Sequence, residues 1–231
     1  MNIIITGASR GIGRATALAL SEDRNNRILI TGRNESLLRE VSDMAVSGNI
    51  SYYVSDFLGG VDQVKLLSHH ISSVFSIVDI LINNAGYLLN KEFRNLTETE
   101  YVDMAKVNYI TPALLVKELL PRMRRGSHIV NISSMGGFQG SSKFKGLAGY
   151  SASKAGLASL TECLATELIE EGIKVNCLAL GSVQTEMIAE AFPGYKAPMG
   201  PEEMAKFISW FSVNGGSFFN GRILPVAVTN P

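Results

Sequence analysis

The sequence predicts an α/β fold of the doubly wound type. Short apolar runs rich in Ile and Val alternate with longer helical patterns along the whole chain, the signature of βαβ units and a parallel sheet. A glycine-rich turn, T-G-A-S-R-G-I-G from Thr6 to Gly13, joins the first run to the first helix. No linker, composition break or repeat divides the 231 residues, so 1–231 reads as one domain.

The candidate strands are Asn2–Thr6, Arg27–Thr31, Ile50–Val54, Val78–Ile82, His128–Ile132, Lys174–Leu178 and Arg222–Val226. Each is short and almost continuously apolar, as strands buried on both faces are. Helical patterns fill the intervals at Ile12–Glu22, Glu35–Val46, Val61–Phe75, Glu98–Arg122, Tyr150–Glu171 and Pro201–Ser212. At 46% hydrophobic residues the chain can bury a substantial core.

Twenty-one basic residues balance 21 acidic ones, so charge gives no reason to expect nucleic acid or a polyanionic partner. Cys163 and Cys177 lie in apolar surroundings and read as two buried thiols, not a disulfide framework. The start M-N-I-I-I-T-G has no basic segment ahead of an apolar stretch. No apolar run approaches the ~20 residues of a membrane span. A soluble, cytoplasmic protein without a membrane partner is expected.

The turn after the first strand has the parts of a phosphate cradle. One glycine permits the tight turn, a second lets the backbone approach a pyrophosphate, and a third lets helix and strand pack closely. The helix N-terminus then presents free N–H groups. The spacing Gly7, Gly11, Gly13 departs from G-x-G-x-x-G, and no G-K-S/T follows, so this is not a Walker loop. At the end of the second strand, where an acid would bind a ribose 2′-hydroxyl, the chain has Gly32 and then Arg33. A glycine leaves room for a 2′-phosphate and a guanidinium can hold it in a forked hydrogen bond. Arg10 is a second candidate contact. These positions favour NADP(H) over NAD.

Together, T-G-A-S-R-G-I-G, N-N-A-G (Asn83–Gly86) and Y-S-A-S-K (Tyr150–Lys154), in this order and each at the end of a strand or on a helix, resemble the short-chain dehydrogenase/reductase family. The resemblance runs from Asn2 to about Thr185 and is weaker beyond. It implies a Rossmann fold with a seven-stranded, mostly parallel sheet, and hydride transfer between NADP(H) and a carbonyl or alcohol. It implies a cofactor wall of Gly7, Ser9, Arg10, Gly11, Ile12, Gly13, Arg33, Asp56, Phe57, Asn84, Ala85, Gly86, Val183 and Thr185, with Tyr150 and Lys154. Asp56 matches the aspartate at the adenine ring, a strand-end cap being the plainer alternative. Asn108 matches the asparagine of a proton relay, and Thr185 the threonine at the carboxamide. The helices Glu98–Arg122 and Tyr150–Glu171 are those the family pairs in a homodimer or homotetramer.

Carbonyl reduction needs a proton donor able to cycle near neutral pH. Free tyrosine, with a pKa near ~10, is too weak an acid unless a cation stabilises its phenolate. Tyr150 and Lys154 are spaced i, i+4, one turn apart on one helix face, so Lys154 can lower the pKa of Tyr150. The catalytic set that the resemblance implies is Tyr150 as acid–base group, Lys154 to tune it and bind ribose, Ser134 to hold the carbonyl, and Asn108. Ser133 points to the other side of the strand because side chains alternate. Ser141 and Ser142 read as solvated turn residues, and Ser151 and Ser153 as packing or capping groups.

Four departures from the family pattern stand out. S-S-K-F-K-G (Ser141–Gly146) is a short insertion between Ser134 and Tyr150, which a loop absorbs at modest cost. Its Lys143 and Lys145 read as exposed loop charges, with contact to an acidic substrate group as the alternative. Leu180-Gly181 replaces Pro-Gly, and the stretch 183–200 forms a small lid. The tail L-P-V-A-V-T-N-P is atypical. The expectation is an NADPH-dependent carbonyl reductase, a 3-oxoacyl-thioester reductase being one possibility; a non-catalytic NADP-binding regulator is the alternative.

Overall fold

A computed structural model of the chain describes residues 1–228; the tail residues Thr229–Pro231 lie outside them. Seven strands form one sheet: β1 (Asn2–Thr6), β2 (Arg27–Gly32), β3 (Ile50–Val54), β4 (Ile80–Asn83), β5 (His128–Ser134), β6 (Lys174–Leu180) and β7 (Ile223–Val226). Their order is β3-β2-β1-β4-β5-β6-β7, and every pairing is parallel. The chain therefore reverses its direction of winding between β1 and β4, where α/β sheets bind ligands.

Helices α1 (Gly11–Ser21), α2 (Glu35–Met44) and α8 (Pro201–Asn214) cover one face. The other is covered by α3 (Val61–Val74), α5 (Thr111–Leu119) and α6 (Ala148–Glu167). Alternation along β1 serves both sides: Ile3 and Ile5 enter the first core with Leu38 and Phe211, and Ile4 enters the second with Leu67 and Leu115. That two-sided burial is why the strands are apolar throughout.

The predicted strands all form; β1 and β3 keep their predicted ends and the other five shift. β4 starts at Ile80 because Val78 N–H donates instead to the Arg122 carbonyl at 2.9 Å. β5 and β6 run two residues longer than predicted, to Ser134 and Leu180, and pair to their last residues. The predicted continuous helix Glu98–Arg122 is interrupted: α4 (Glu98–Ala105) passes into a π-turn over Lys106–Ile110 before α5. Pro112 has no N–H to give the Asn108 carbonyl four residues earlier, so the α-helical ladder cannot continue there. The Thr111 N–H reaches back five residues to the Lys106 carbonyl. The lid stretch holds a short helix, α7 (Glu186–Ala191), that the composition did not predict; Thr185 caps its start. Cys177 is buried as expected, but Cys163 is exposed, because it lies on the solvent side of α6. Among the described residues no helix is long and apolar enough to cross a membrane.

One buried polar cluster joins β5, β6 and α8. His128 Nδ1 lies 3.0 Å from the Ser212 carbonyl, and its Nε2 lies 3.0 Å from Asn176 Nδ2. The neutral ring satisfies both, donating through Nδ1 and accepting through Nε2. A second proton would leave Asn176 facing a donor. Burial accordingly pushes the His128 pKa down to about 4. A depressed folded-state value means stability present above the unfolded value near ~6.5 and lost as pH falls towards the folded one. Urea unfolding is expected to lose up to about 3 kcal/mol between pH 6.5 and 4 from this residue, and His128→Asn should lose measurably less over the same interval.

Candidate active site

A cavity of about 440 Å³ runs along the carboxyl edge of the sheet, over the ends of β1 to β6. Every sequence-predicted site residue lines it except Asn108, which is fully buried behind the wall. The half over β1–β3 is made by the glycine turn, Arg33 and Asp56; the half over β4–β6 holds Ser134, Tyr150 and Lys154.

The glycine turn is built by contact. Gly7 and Gly11 take φ of 66° and 57°, which a side chain would strain. A Cβ on Gly7 would also lie 2.5 Å from the Ala85 Cα, and one on Gly13 would lie 2.5 Å from the Gly7 carbonyl oxygen. The turn is stitched to the end of β4. Asn84 Nδ2 donates to the Thr6 and Gly7 carbonyls, both at 2.9 Å, while Thr6 Oγ1 accepts from the Asn84 and Ala85 N–H groups.

Arg33 is exposed at the end of β2, beside Gly32. Arg10 is engaged: its Nη1 pairs with Glu190 of α7 at 2.9 Å, which ties the glycine turn to the lid. Asp56 caps the turn after β3, its Oδ1 accepting from Leu58 N–H at 3.0 Å. The plainer reading of this aspartate describes its side chain here, although it also lines the cavity.

On the other half, α6 delivers Tyr150 and Lys154 one turn apart. Lys154 Nζ lies 6.0 Å from the centre of the Tyr150 ring and donates to the Ile132 carbonyl at 2.8 Å. Burial pushes the lysine down to about 8. Burial also pushes the Tyr150 phenol up to about 12, while a hydrogen bond with Ser134 pulls it down. From the spacing alone Lys154 would lower the phenol; here desolvation raises it, and the group that pulls it down is Ser134, not Lys154. Ser133 points away as expected and donates to the Lys154 carbonyl at 2.9 Å.

Asn108 sits in the π-turn. Its Oδ1 accepts from Tyr87 N–H at 2.7 Å, and its Nδ2 donates to the Tyr87 carbonyl at 2.8 Å and to Ser153 Oγ at 2.9 Å. Ser153 Oγ donates to the Tyr150 carbonyl at 2.7 Å. The side chain of Asn108 therefore fixes both the loop after β4 and the first turn of α6. Ser153, read from sequence as a packing or capping residue, is the link; the i, i+3 spacing from Tyr150 is its only trace in the sequence.

Sequence reasoning missed the apolar lining of this half: Leu88, Phe144, Leu147, Met187, Phe192 and Tyr195. Gly137 was also missed. A Cβ there would lie 2.6 Å from both the Lys154 carbonyl carbon and the Ala155 nitrogen, so the turn after β5 rests directly on α6. Ser141 is not a solvated turn residue: its Oγ bonds to the Phe138 carbonyl at 2.9 Å and to that of Met135.

The family model described as "short chain dehydrogenase" matches residues 1–196. The 3-oxoacyl-(acyl-carrier-protein) reductase of Staphylococcus aureus is 33% identical over 187 residues, 80% of this chain and 75% of that protein. The enzyme of the same name from Aquifex aeolicus is 31% identical and covers 96% of this chain and 94% of its own. Among solved structures, a short-chain dehydrogenase from Shigella flexneri, complexed with NADP, has a TM-score of 0.87 at 25% identity, with 97% of this chain and 95% of that one covered.

The close contact at Gly137 has a measurable consequence. Gly137→Ala is expected to cost about 1–3 kcal/mol in urea unfolding, because the obstructing atoms are backbone. An unchanged midpoint would show that the turn does not rest on α6.

Proposed function

The chain belongs to the short-chain dehydrogenase/reductase family, and from that premise we propose that it is an NADP(H)-dependent oxidoreductase acting on a carbonyl or secondary alcohol. The observation that carries the reading is the placement of Ser134, Tyr150 and Lys154 on one wall of a cavity that continues to the glycine turn.

The residues present fit a dinucleotide. Gly7 and Gly13 leave no room for side chains where the backbone must approach a pyrophosphate. Arg33 and Arg10 line the cavity, and the absence of a carboxylate at Gly32 supports a 2′-phosphate beside them. Two buried hydroxyls on the same half, Thr31 and Ser55, have no protein partner. When bound, the nicotinamide supplies or accepts the hydride.

The chain's own groups handle the proton. Ser134 Oγ holds the carbonyl oxygen, and Tyr150 gives that oxygen its phenolic proton. Burial makes this phenol, at about 12, a weaker acid than free tyrosine, so giving up its proton requires the phenolate to be stabilised. The Lys154 ammonium stabilises the phenolate left behind, and Asn108 holds the first turn of α6 in place through Ser153. The Staphylococcus aureus and Aquifex aeolicus relatives are named as 3-oxoacyl-(acyl-carrier-protein) reductases, and a 3-oxoacyl thioester is one carbonyl of the proposed class. The same reading includes a homodimer or homotetramer, supported by Tyr101, Val102 and Ile110, which leave apolar surface exposed along α4 and the π-turn.

The test is NADPH oxidation against a carbonyl panel, where Tyr150→Phe should lower kcat by about 10²-fold or more, the scale of general acid catalysis. NADPH binding without turnover on any carbonyl would favour the regulator. Wild-type reduction should fall above about pH 8, as Lys154 loses the charge the phenolate needs; a flat profile to pH 10 would oppose that role. Arg33→Ala should weaken NADPH far more than NADH, and equal losses would sink the 2′-phosphate assignment. Glu190→Gln should tighten NADPH by at most about fivefold, the scale of an exposed ion pair, by releasing Arg10.

A further inference from the structure

The insertion Ser141–Gly146 reaches the half of the cavity that holds Tyr150. Its two lysines do not face that space. Lys143 Nζ donates back into its own loop, to the Phe138 carbonyl at 2.6 Å and Ser141 Oγ at 2.7 Å. Lys145 Nζ pairs with Glu92 at 2.6 Å. Phe144, between them, lines the cavity. It is half exposed, at 50%, on a loop whose other long side chains are tied down. A phenyl ring so placed leaves on the order of 100 Å² of apolar surface uncovered.

The loop holding it is anchored on two sides. The Gly146 carbonyl accepts from Lys91 N–H at 2.9 Å, and Asn90 Nδ2, one residue away, donates to the Ala191 carbonyl of the lid at 2.9 Å. Phe144 therefore stands on a braced rim. Leu147, Leu88, Met187 and Phe192 continue the apolar wall from it towards Tyr150. The cations on the cavity wall are Arg10, Arg33 and Lys154. The first pairs with Glu190, the second sits over β2, and the third is bound to the Ile132 carbonyl. None of them is placed to receive a carboxylate on the substrate side.

We propose that Phe144 is a specificity-determining residue: with Leu147 and Phe192 it forms a subsite for the apolar substituent of a neutral carbonyl substrate, and the site discriminates against 2-oxo acids. The inference rests on the reductase reading for the word substrate. The subsite itself is a binding property and can be measured without turnover.

The experiment uses the full chain with NADPH and the neutral fluorophore N-phenyl-1-naphthylamine, in wild type, Phe144→Ala and Phe144→Leu. Thermal unfolding checks that each variant is folded. Phe144→Ala should weaken the fluorophore about tenfold, the scale of losing one aromatic contact, and Phe144→Leu should recover most of it. In turnover, Phe144→Ala should lower kcat/KM for 4-phenyl-2-butanone about tenfold and for acetone less than about twofold. Wild type should prefer 4-phenyl-2-butanone to phenylpyruvate by about tenfold or more, since a buried carboxylate would go unpaired. Unchanged fluorophore binding in Phe144→Ala, equal losses for the two ketones, or preference for phenylpyruvate would overturn the proposal. If wild type reduces no ketone, but 4-phenyl-2-butanone displaces the fluorophore in a Phe144-dependent way, the subsite stands and the reductase reading falls.

Discussion

Two adjacent side chains at the end of β4 are bound to opposite neighbours, and the working parts of the cavity are placed by them. Asn84 donates to the two carbonyls that open the glycine turn after β1. Asn83, almost fully buried, donates to Asn131 of β5 at 2.8 Å. Asn131 donates in turn to Thr161 of α6 at 2.9 Å, and Thr161 to the Leu157 carbonyl. Amides inside a sheet are costly unless paired; each of these donates through its Nδ2, while Asn83 Oδ1 is buried without a partner, and such a chain permits few alternative arrangements. The chain therefore fixes the half of the cavity at the glycine turn and the half that holds Tyr150 relative to one strand. It does so where the winding direction changes and the two crossovers diverge.

What α6 carries follows from this. Tyr150 and Lys154 are held from behind by Thr161, by the Asn108–Ser153 pair and by the turn resting on α6 at Gly137. Such burial shifts both groups towards their neutral forms: phenol up, amine down. The pair is thus poised with an undissociated acid beside a lysine that titrates near neutrality. Ser134, at the last paired position of β5, meets the phenol from the strand side. Placement by strand end and helix face, not by a flexible loop, is what keeps three side chains from different elements together.

Much of this was legible in the sequence because it rests on local rules. The apolar runs of Ile and Val can be buried on both faces only in a parallel sheet, and the glycine turn can stand only at a strand-to-helix junction. The i, i+4 spacing of Tyr150 and Lys154 fixes their common face. Other features depend on contacts between distant segments. Arg10 looked free until α7 brought Glu190 to it. The two lysines of the insertion looked available until the loop folded back on them and on Glu92. The π-turn had a trace in the sequence, Pro112 four residues after Asn108, but helical periodicity alone does not separate it from a continuous helix. The elevation of the Tyr150 pKa was hidden for a related reason: spacing shows a lysine one turn away, and only packing shows the desolvation that raises the phenol.

The Ser141–Gly146 loop shapes the rim of the cavity beside Ser134, Tyr150 and Lys154. In the proposed function the reaction is hydride delivery to a carbonyl carbon held by Ser134 and Tyr150. The most direct measurement follows the hydrogen itself. The protein is incubated with NADPH deuterated at C4 and a neutral aryl-alkyl ketone, and the product is examined by NMR. The account predicts deuterium on the carbinol carbon of a single alcohol enantiomer. An absence of alcohol in the presence of bound NADPH, or alcohol carrying hydrogen from solvent at that carbon, would contradict it.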